Sequence, residues 1–227
     1  MKKYSLGEKS KSYYEEAGIY RLFSAREDAP GKIFETLLSE MKGKTLLDLG
    51  CGSGKYTKLF APYAPKIVAL DASKDQLSLA EKDTDGYDNI DFVHTQAEDM
   101  KLPSKSIDVA LASWVLGTVE DEKRRKDILC NIERTLKPRG KIFLVENDTG
   151  GEFEQIRGRT NDPLERTKKY NEWLVKNGFR EYSHFTTFFE FKDLDEARKV
   201  IGFIWGKEAK HRVQGSKIEH KVAIYCK

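Results

Sequence analysis

The chain has 227 residues, 39% apolar and 34% charged, which is enough for one well-buried domain and short for two. Its 40 basic and 37 acidic residues leave a formal charge of only +3, little support for nucleic-acid gripping as the main task. No apolar run nears the roughly 20 residues of a membrane span, and three cysteines without CxxC or Cys/His spacing (Cys51, Cys130, Cys226) argue against a disulfide framework or a zinc site.

Residues 1–9 are basic with no apolar stretch behind them, so no signal peptide is expected and a cytoplasmic location is. Residues 13–20 are polar and tyrosine-rich, and Ile33, Leu37 and Leu38 then mark an amphipathic helix. From residue 44, strand-like and helix-like segments alternate, the pattern of a parallel α/β sheet. Strands are expected over 44–49, 66–71, 90–94, 107–112 and 141–146. The first leads into a helix through Tyr56, Leu59 and Phe60, and Ser73 is placed to cap another through Leu77, Leu79 and Ala80. Ile128, Leu129, Ile132 and Leu136 recur at helical spacing, with Lys137-Pro138-Arg139-Gly140 ending that helix. Residues 147–160 read as a Gly-rich loop, and a helix with Trp173, Leu174 and Val175 stops at Asn177-Gly178. A long strand over 179–191, a helix through Ala197, Val200, Ile201, Ile204 and Trp205, and a last strand over 221–226 complete the chain. The expected organisation is one domain over 1–227: an N-terminal helical cap over 1–43, a ligand-binding core over 44–146, and a substrate-side lid with the C-terminal strands over 147–227.

The informative stretch is Leu46-Leu47-Asp48-Leu49-Gly50-Cys51-Gly52-Ser53-Gly54-Lys55-Tyr56. A strand meets three alternate glycines, which permit a tight turn and close approach of a ligand, and a helix then offers unpaired N–H groups. Further on, the second strand ends in Asp71, a carboxylate able to accept bonds from both hydroxyls of a ribose. A P-loop is excluded by spacing, because its opening position falls on Leu49 and Tyr56 replaces the magnesium-binding Ser or Thr. A dinucleotide fold wants glycine where Lys55 stands. S-adenosylmethionine, a ribonucleoside with an amino-acid tail and no phosphate, needs only the turn and the acid.

Over residues 44–146 the chain resembles the class I S-adenosylmethionine-dependent methyltransferases, in particular their small-molecule branch. Asp48-Leu49-Gly50-Cys51-Gly52-Ser53-Gly54 matches the first motif, Asp71 the ribose-binding acid, and Gln96-Ala97-Glu98-Asp99-Met100 the adenine loop. There Gln96 departs from the usual Asp or Asn, and Lys101 is an extra position before Leu102-Pro103. Ser106-Ile107-Asp108-Val109 and Leu136-Lys137-Pro138-Arg139-Gly140-Lys141 match the fourth-strand and pre-fifth-strand signatures. The resemblance implies a Rossmann-like, doubly wound α/β sheet of seven strands with the last antiparallel and helices on both faces. The helix between the last two strands would be an insertion. It implies cofactor contact by Asp48, Gly50, Cys51, Gly52, Gly54, Asp71, Ala72, Gln96, Ala97 and Ser113, with the Cys51 thiol itself inert packing.

Other candidates stay open at this point. Tyr13, Tyr14 and Tyr20 cover the cofactor or merely pack the cap on the sheet, and Trp114 is pocket wall or core. His184 is a general base or, preferentially, a structural histidine, and His94 is read as core. Glu146 and Asp148, at the end of the fifth strand, orient an amine, accept a proton or do neither. Glu98, Asp99 and the run Lys123-Arg124-Arg125-Lys126 read as solvated. Because the methyl group is already activated, alignment of the acceptor comes before acid–base catalysis. The implied activity is O-, N- or C-methylation of a small molecule, with no metal and no membrane partner. An RNA-modifying enzyme is the first alternative, since residues 50–56 also resemble the first motif of tRNA wobble-uridine methyltransferases. A non-catalytic cofactor-binding regulator is the second.

Overall fold

The computed structural model describes residues 16–158 and 163–227, the side chains of 163–168 excepted. In chain order the elements are α1 (Ala17–Arg26), α2 (Lys32–Met41), β1 (Thr45–Leu49), α3 (Lys55–Phe60), β2 (Lys66–Asp71), α4 (Lys74–Asp83), β3 (Ile90–His94) and β4 (Ile107–Ser113). Then come α5 (Glu122–Thr135), β5 (Leu136–Asn147), α6 (Gly151–Ile156), α7 (Pro163–Lys176), β6 (Arg180–Glu190), α8 (Leu194–Trp205), α9 (Lys207–Arg212) and β7 (Lys217–Cys226).

The strands form one seven-stranded sheet in the order β3-β2-β1-β4-β5-β7-β6. Neighbours from β3 to β5 are parallel, and β7 runs antiparallel to both β5 and β6. The expected seven strands with the last reversed are therefore present. The chain leaves β1 towards β3 and returns to the other side as β4, so strand order reverses between β1 and β4. At such a switch point the loops after the two strands diverge and open a crevice at their carboxyl ends.

Alternation along the strands feeds two cores. Leu46, Val109, Leu111, Phe143 and Val145 face Ile33, Leu37 and Met41 of α2 and Tyr56 and Phe60 of α3. Their neighbours Leu47, Leu49, Ala110, Ala112, Ile142 and Leu144 face Ile128, Leu129 and Ile132 of α5 and Trp173 and Leu174 of α7. A third cluster lies at the β7–β6 side of the sheet: Phe23 of α1 packs with Phe153, Phe189, Val200, Ile201 and Ile204. α1 is thus seated on C-terminal elements, whereas α2 packs on the sheet.

Several boundaries differ from expectation. Leu136 is strand rather than helix, because it pairs with Ile107 ahead of a register shift between Ile107 and Val109. The Pro138-Arg139-Gly140 turn becomes an irregularity within β5, with Arg139 at φ 66. Residues 147–160 are not all loop, since α6 buries Phe153 and Ile156 one turn apart. β7 begins at Lys217, before the expected 221, because it pairs from there with Glu190. The short helix α9, after Gly206, had no counterpart in the sequence reading.

Two glycines bracket what a methyl group does in this frame. At Gly54, with φ +82, an added Cβ would lie 2.8 Å from Ala80 Cβ on α4, whereas at Gly18 in α1 it would meet nothing within 4 Å. Gly54→Ala is expected to cost about 1–3 kcal/mol, and Gly18→Ala to add about 0.5–1 kcal/mol of stability. Urea midpoints of the two variants check this; equal shifts would mean that α3 and α4 are not in the contact described.

Candidate functional site

At the end of β1, Gly50 N and Cys51 N both donate to Leu70 O, at 2.7 and 3.0 Å, and fold the turn back onto β2. Gly50, Gly52 and Gly54 all have positive φ. A side chain at Gly50 would also strike Val115, whose Cγ2 stands 2.5 Å from the position a Cβ would take. The Asp71 carboxylate, buried at the end of β2, accepts from Gly52 N at 2.9 Å and from Ser73 N at 2.8 Å. Ser73 Oγ in turn caps α4 by accepting from Gln76 N. Burial pushes the Asp71 carboxyl upward, against the three backbone N–H groups of Gly52, Ala72 and Ser73.

Asp48 is buried in β1 and accepts from Thr57 Oγ1 at 2.5 Å. Desolvation raises it to about 6, outweighing that hydrogen bond. The Cys51 thiol is pushed well above its usual range by burial, in keeping with an inert role. On the cap, the Tyr20 ring lies over the turn, its Cε1 3.1 Å from where a Gly52 Cβ would be. Tyr14 and Tyr13 fall outside the described residues.

On the β2–β3 side, half-buried Gln96 and Ala97 open a short 3-10 turn, Ala97–Asp99. Ala72 sits beside Asp71, and its carbonyl lies 3.1 Å from His94 Nε2. His94 is exposed on edge strand β3 rather than core. Arg124 reaches across from α5 to Glu98 Oε1 at 2.8 Å and to Gln96 Oε1 at 3.4 Å. Arg125 donates to the carbonyls of Leu116 and Val119 and lies over the rings of Tyr170 and Trp173. The basic run is thus not a wholly solvated face: its two arginines brace loops at the sheet's carboxyl edge, and Glu98 is held too.

Ser113 ends β4, with its Oγ buried and unpartnered. Trp114 follows at φ 55, in a left-handed conformation that a bulky side chain seldom adopts. Glu146, buried at the end of β5, accepts from Tyr170 Oη at 2.7 Å and from Gly117 N at 3.0 Å. Desolvation raises it to about 7. Asp148 accepts from Thr149 N at 2.7 Å. His184 is exposed on the outermost strand β6, 2.8 Å from Glu181 Oε1, and so stands apart from the glycine turn. Among the described residues no group of three His, Cys, Asp or Glu is placed to hold a metal, and no helix is long and apolar enough to cross a membrane.

The structure adds residues that the sequence reading passed over. Glu27, just after α1, is buried against the crevice, and Lys55 at the start of α3 donates to its backbone carbonyl. Burial raises the Glu27 carboxyl and lowers Lys55. His220 is buried in β7, its Nε2 2.7 Å from Asn147 Oδ1, and desolvation lowers it to about 3, so it is neutral. Two signals existed. A lysine in the first position of a helix opposes the dipole, and His220 interrupts the apolar face Ile218, Val222, Ile224 of one strand.

Residues 47–144 match the family model of a methyltransferase domain. A demethylmenaquinone methyltransferase of Bacillus licheniformis is 33% identical over 113 residues, 48% of this chain and 47% of that protein. Phosphoethanolamine N-methyltransferase 1 of Triticum aestivum is 32% identical over 114 residues, 49% of this chain and 23% of that protein. The chain therefore spans about half or less of the length of these curated relatives. Among solved structures, the N-methyltransferase NodS of Bradyrhizobium japonicum, in complex with S-adenosyl-L-homocysteine, superposes with a TM-score of 0.60 at 13% identity. That match covers 95% of this chain and 98% of the other, and shows that the fold is shared.

The raised Glu146 carboxyl gives a pH prediction. A carboxyl at about 7 in the fold and near 4.5 when unfolded stabilises fully below the lower value, and that contribution is lost as pH rises through the higher. Glu146→Gln cannot titrate. The stability of the wild type should therefore fall more steeply between pH 5 and 8 than that of the variant, by up to about 3 kcal/mol. Denaturant melts of both proteins across that range check this, and parallel profiles would remove Glu146 as a titrating group.

Proposed function

We propose that residues 47–144, which match the family model of a methyltransferase domain, bind S-adenosylmethionine, and that the whole protein transfers a methyl group to a small-molecule acceptor. The observation that carries this reading is the Asp71 carboxylate held at the glycine turn by Gly52 N and Ser73 N. Each of its oxygens keeps a further lone pair for a ribose hydroxyl. Other groups fit the same cofactor. Asp48 is a buried acid short of a cation, which suits an ammonium group, and Ser113 Oγ lacks a partner. The backbone of Gln96 and Ala97 would flank the adenine. When bound, the cofactor supplies a methyl group already activated on a sulfonium.

The rest falls to the chain. Asp48, Asp71 and the glycine turn hold the donor side, while Tyr20 and the end of α1 shield the turn from water. The loop after β4 presents Trp114 on the acceptor side. A small-molecule acceptor accords with the modest net charge and with the acceptors for which the two relatives are named.

Titration calorimetry with S-adenosylmethionine and S-adenosylhomocysteine tests the reading, with NADH as control. Micromolar binding of both adenosyl ligands is expected, weakened about 100-fold by Asp71→Ala, which removes two charge-assisted hydrogen bonds. The exposed Asp91→Ala should bind as the wild type does. A wild-type protein that binds neither adenosyl ligand would sink the proposal.

A further inference from the structure

A row of rings stands beside the glycine turn. Tyr56 lies 6.4 Å, centroid to centroid, from Trp114, and Trp114 stacks on His220 at 6.0 Å. Each ring carries one buried polar atom with no hydrogen-bond partner: the Tyr56 hydroxyl, Trp114 Nε1 and His220 Nδ1. Tyr56 and His220 are only 5% and 1% exposed, so solvent does not satisfy them. A buried polar group left unpaired costs roughly 1–3 kcal/mol. Three on neighbouring rings, one of them on a residue with a left-handed backbone, are a concentrated expense that a ligand would relieve.

The chemistry of the three atoms narrows that ligand. His220 Nε2 donates to Asn147 Oδ1, which leaves Nδ1 as a lone-pair acceptor on a neutral ring. Trp114 Nε1–H only donates, and the Tyr56 hydroxyl does either. A hydroxyl group both donates and accepts at one atom and so answers all three. A carboxylate has no proton for Nδ1, and an ammonium has no lone pair for Trp114.

Charge points the same way. Glu27 Oε1 lies 3.7 Å from His220 Nδ1, and Lys55 donates to the Glu27 carbonyl. Ionised together or neutral together, Glu27 and Lys55 add no net charge. Of the other charged groups nearby, Asp28 accepts from Ile33 N and Thr187 Oγ1, Arg157 pairs with Glu154 while its Nε stays unpartnered, and Asp48 is the acid matched above to the cofactor's ammonium group. A charged acceptor group would have to draw Asp48 or Arg157 away from these partners or stay buried without a counter-charge, and either is costly.

We propose that Tyr56, Trp114 and His220, with Glu27 beside them, form the acceptor site, and that it takes an uncharged small molecule through a hydroxyl group. This rests on the methyl-transfer reading above. In the reaction the hydroxyl oxygen bonds to the methyl carbon as the carbon–sulfur bond breaks and its electron pair stays on sulfur. The hydroxyl proton, donated to His220 Nδ1, passes to Glu27 Oε1 3.7 Å away in the form of the protein in which that carboxyl is ionised.

The test uses the full chain saturated with S-adenosylhomocysteine, whose own binding is measured first. A set of phenols and benzyl alcohols is then titrated, each matched by the benzoate and the benzylamine of the same skeleton, with calorimetry and tryptophan emission as readouts. Hydroxyl probes should bind at least 10-fold more tightly than their charged partners. Tyr56→Phe, which keeps the ring and removes only the hydroxyl, and Trp114→Phe, which removes the N–H together with the five-membered ring of the indole, should each weaken hydroxyl probes 5- to 20-fold and leave S-adenosylhomocysteine affinity, read by calorimetry, unchanged. Preference for the charged probes, indifference to both variants, or binding of S-adenosylhomocysteine with no hydroxyl probe would each overturn the proposal. Failure to bind S-adenosylhomocysteine would instead remove the methyl-transfer reading beneath it.

Discussion

One carboxylate ties the crevice together. Asp71 belongs to β2, yet its oxygens hold Gly52 N of the turn after β1 and Ser73 N at the head of α4. Through those bonds the positions of β1, β2 and α4 are settled at once, and Gly54 then lets α3 pack on Ala80 of α4. The arrangement is costly because the acid is buried, and the backbone N–H groups offset that desolvation only in part. A strand end would not hold such a group for packing alone, since an apolar residue would serve better there.

The same bias recurs around the sheet's carboxyl edge. Asp48, Glu146 and Glu27 are all buried acids raised by desolvation, to about 6, about 7 and about 8. They come from β1, β5 and the cap, so the pattern belongs to the crevice rather than to one element. Against this acidic side stand neutral His220 and the indole of Trp114. A crevice with under-ionised carboxyls at the turn and neutral hydrogen-bonding rings beside it is suited to two ligands of different character, one cationic and one uncharged.

Much of this was legible from the chain. Strands β1 to β5 announce themselves as apolar runs, and the three glycines with Asp71 locate the crevice because tight turns and strand ends are local chemistry. Where the reading slipped, the deciding partner was distant in sequence. Leu136 reads as helix until Ile107 is known to lie opposite it. Arg124 and Arg125 read as solvated until Glu98 and the Tyr170–Trp173 pair are placed beside them. Glu27 looks like one more surface acid until β7 brings His220 to it. His184, a tempting base by residue type, sits on the outermost strand because β7 is inserted between β5 and β6.

The seating of the cap on the C-terminal third carries a consequence for how the molecule is assembled. Phe23 of α1 stacks on Phe189 at 4.9 Å and meets the edge of Trp205 at 5.1 Å, while Arg26 pairs with Glu196. These contacts have high sequence separation, the slow kind to form. During synthesis, residues 47–144 emerge with most of their strand partners, but Phe23 of α1 lacks Phe189 and Trp205 until β6 and α8 have left the ribosome. α1 is therefore made well before it can be fully seated, and the crevice beneath it stays open to water until β6 and α8 are in place.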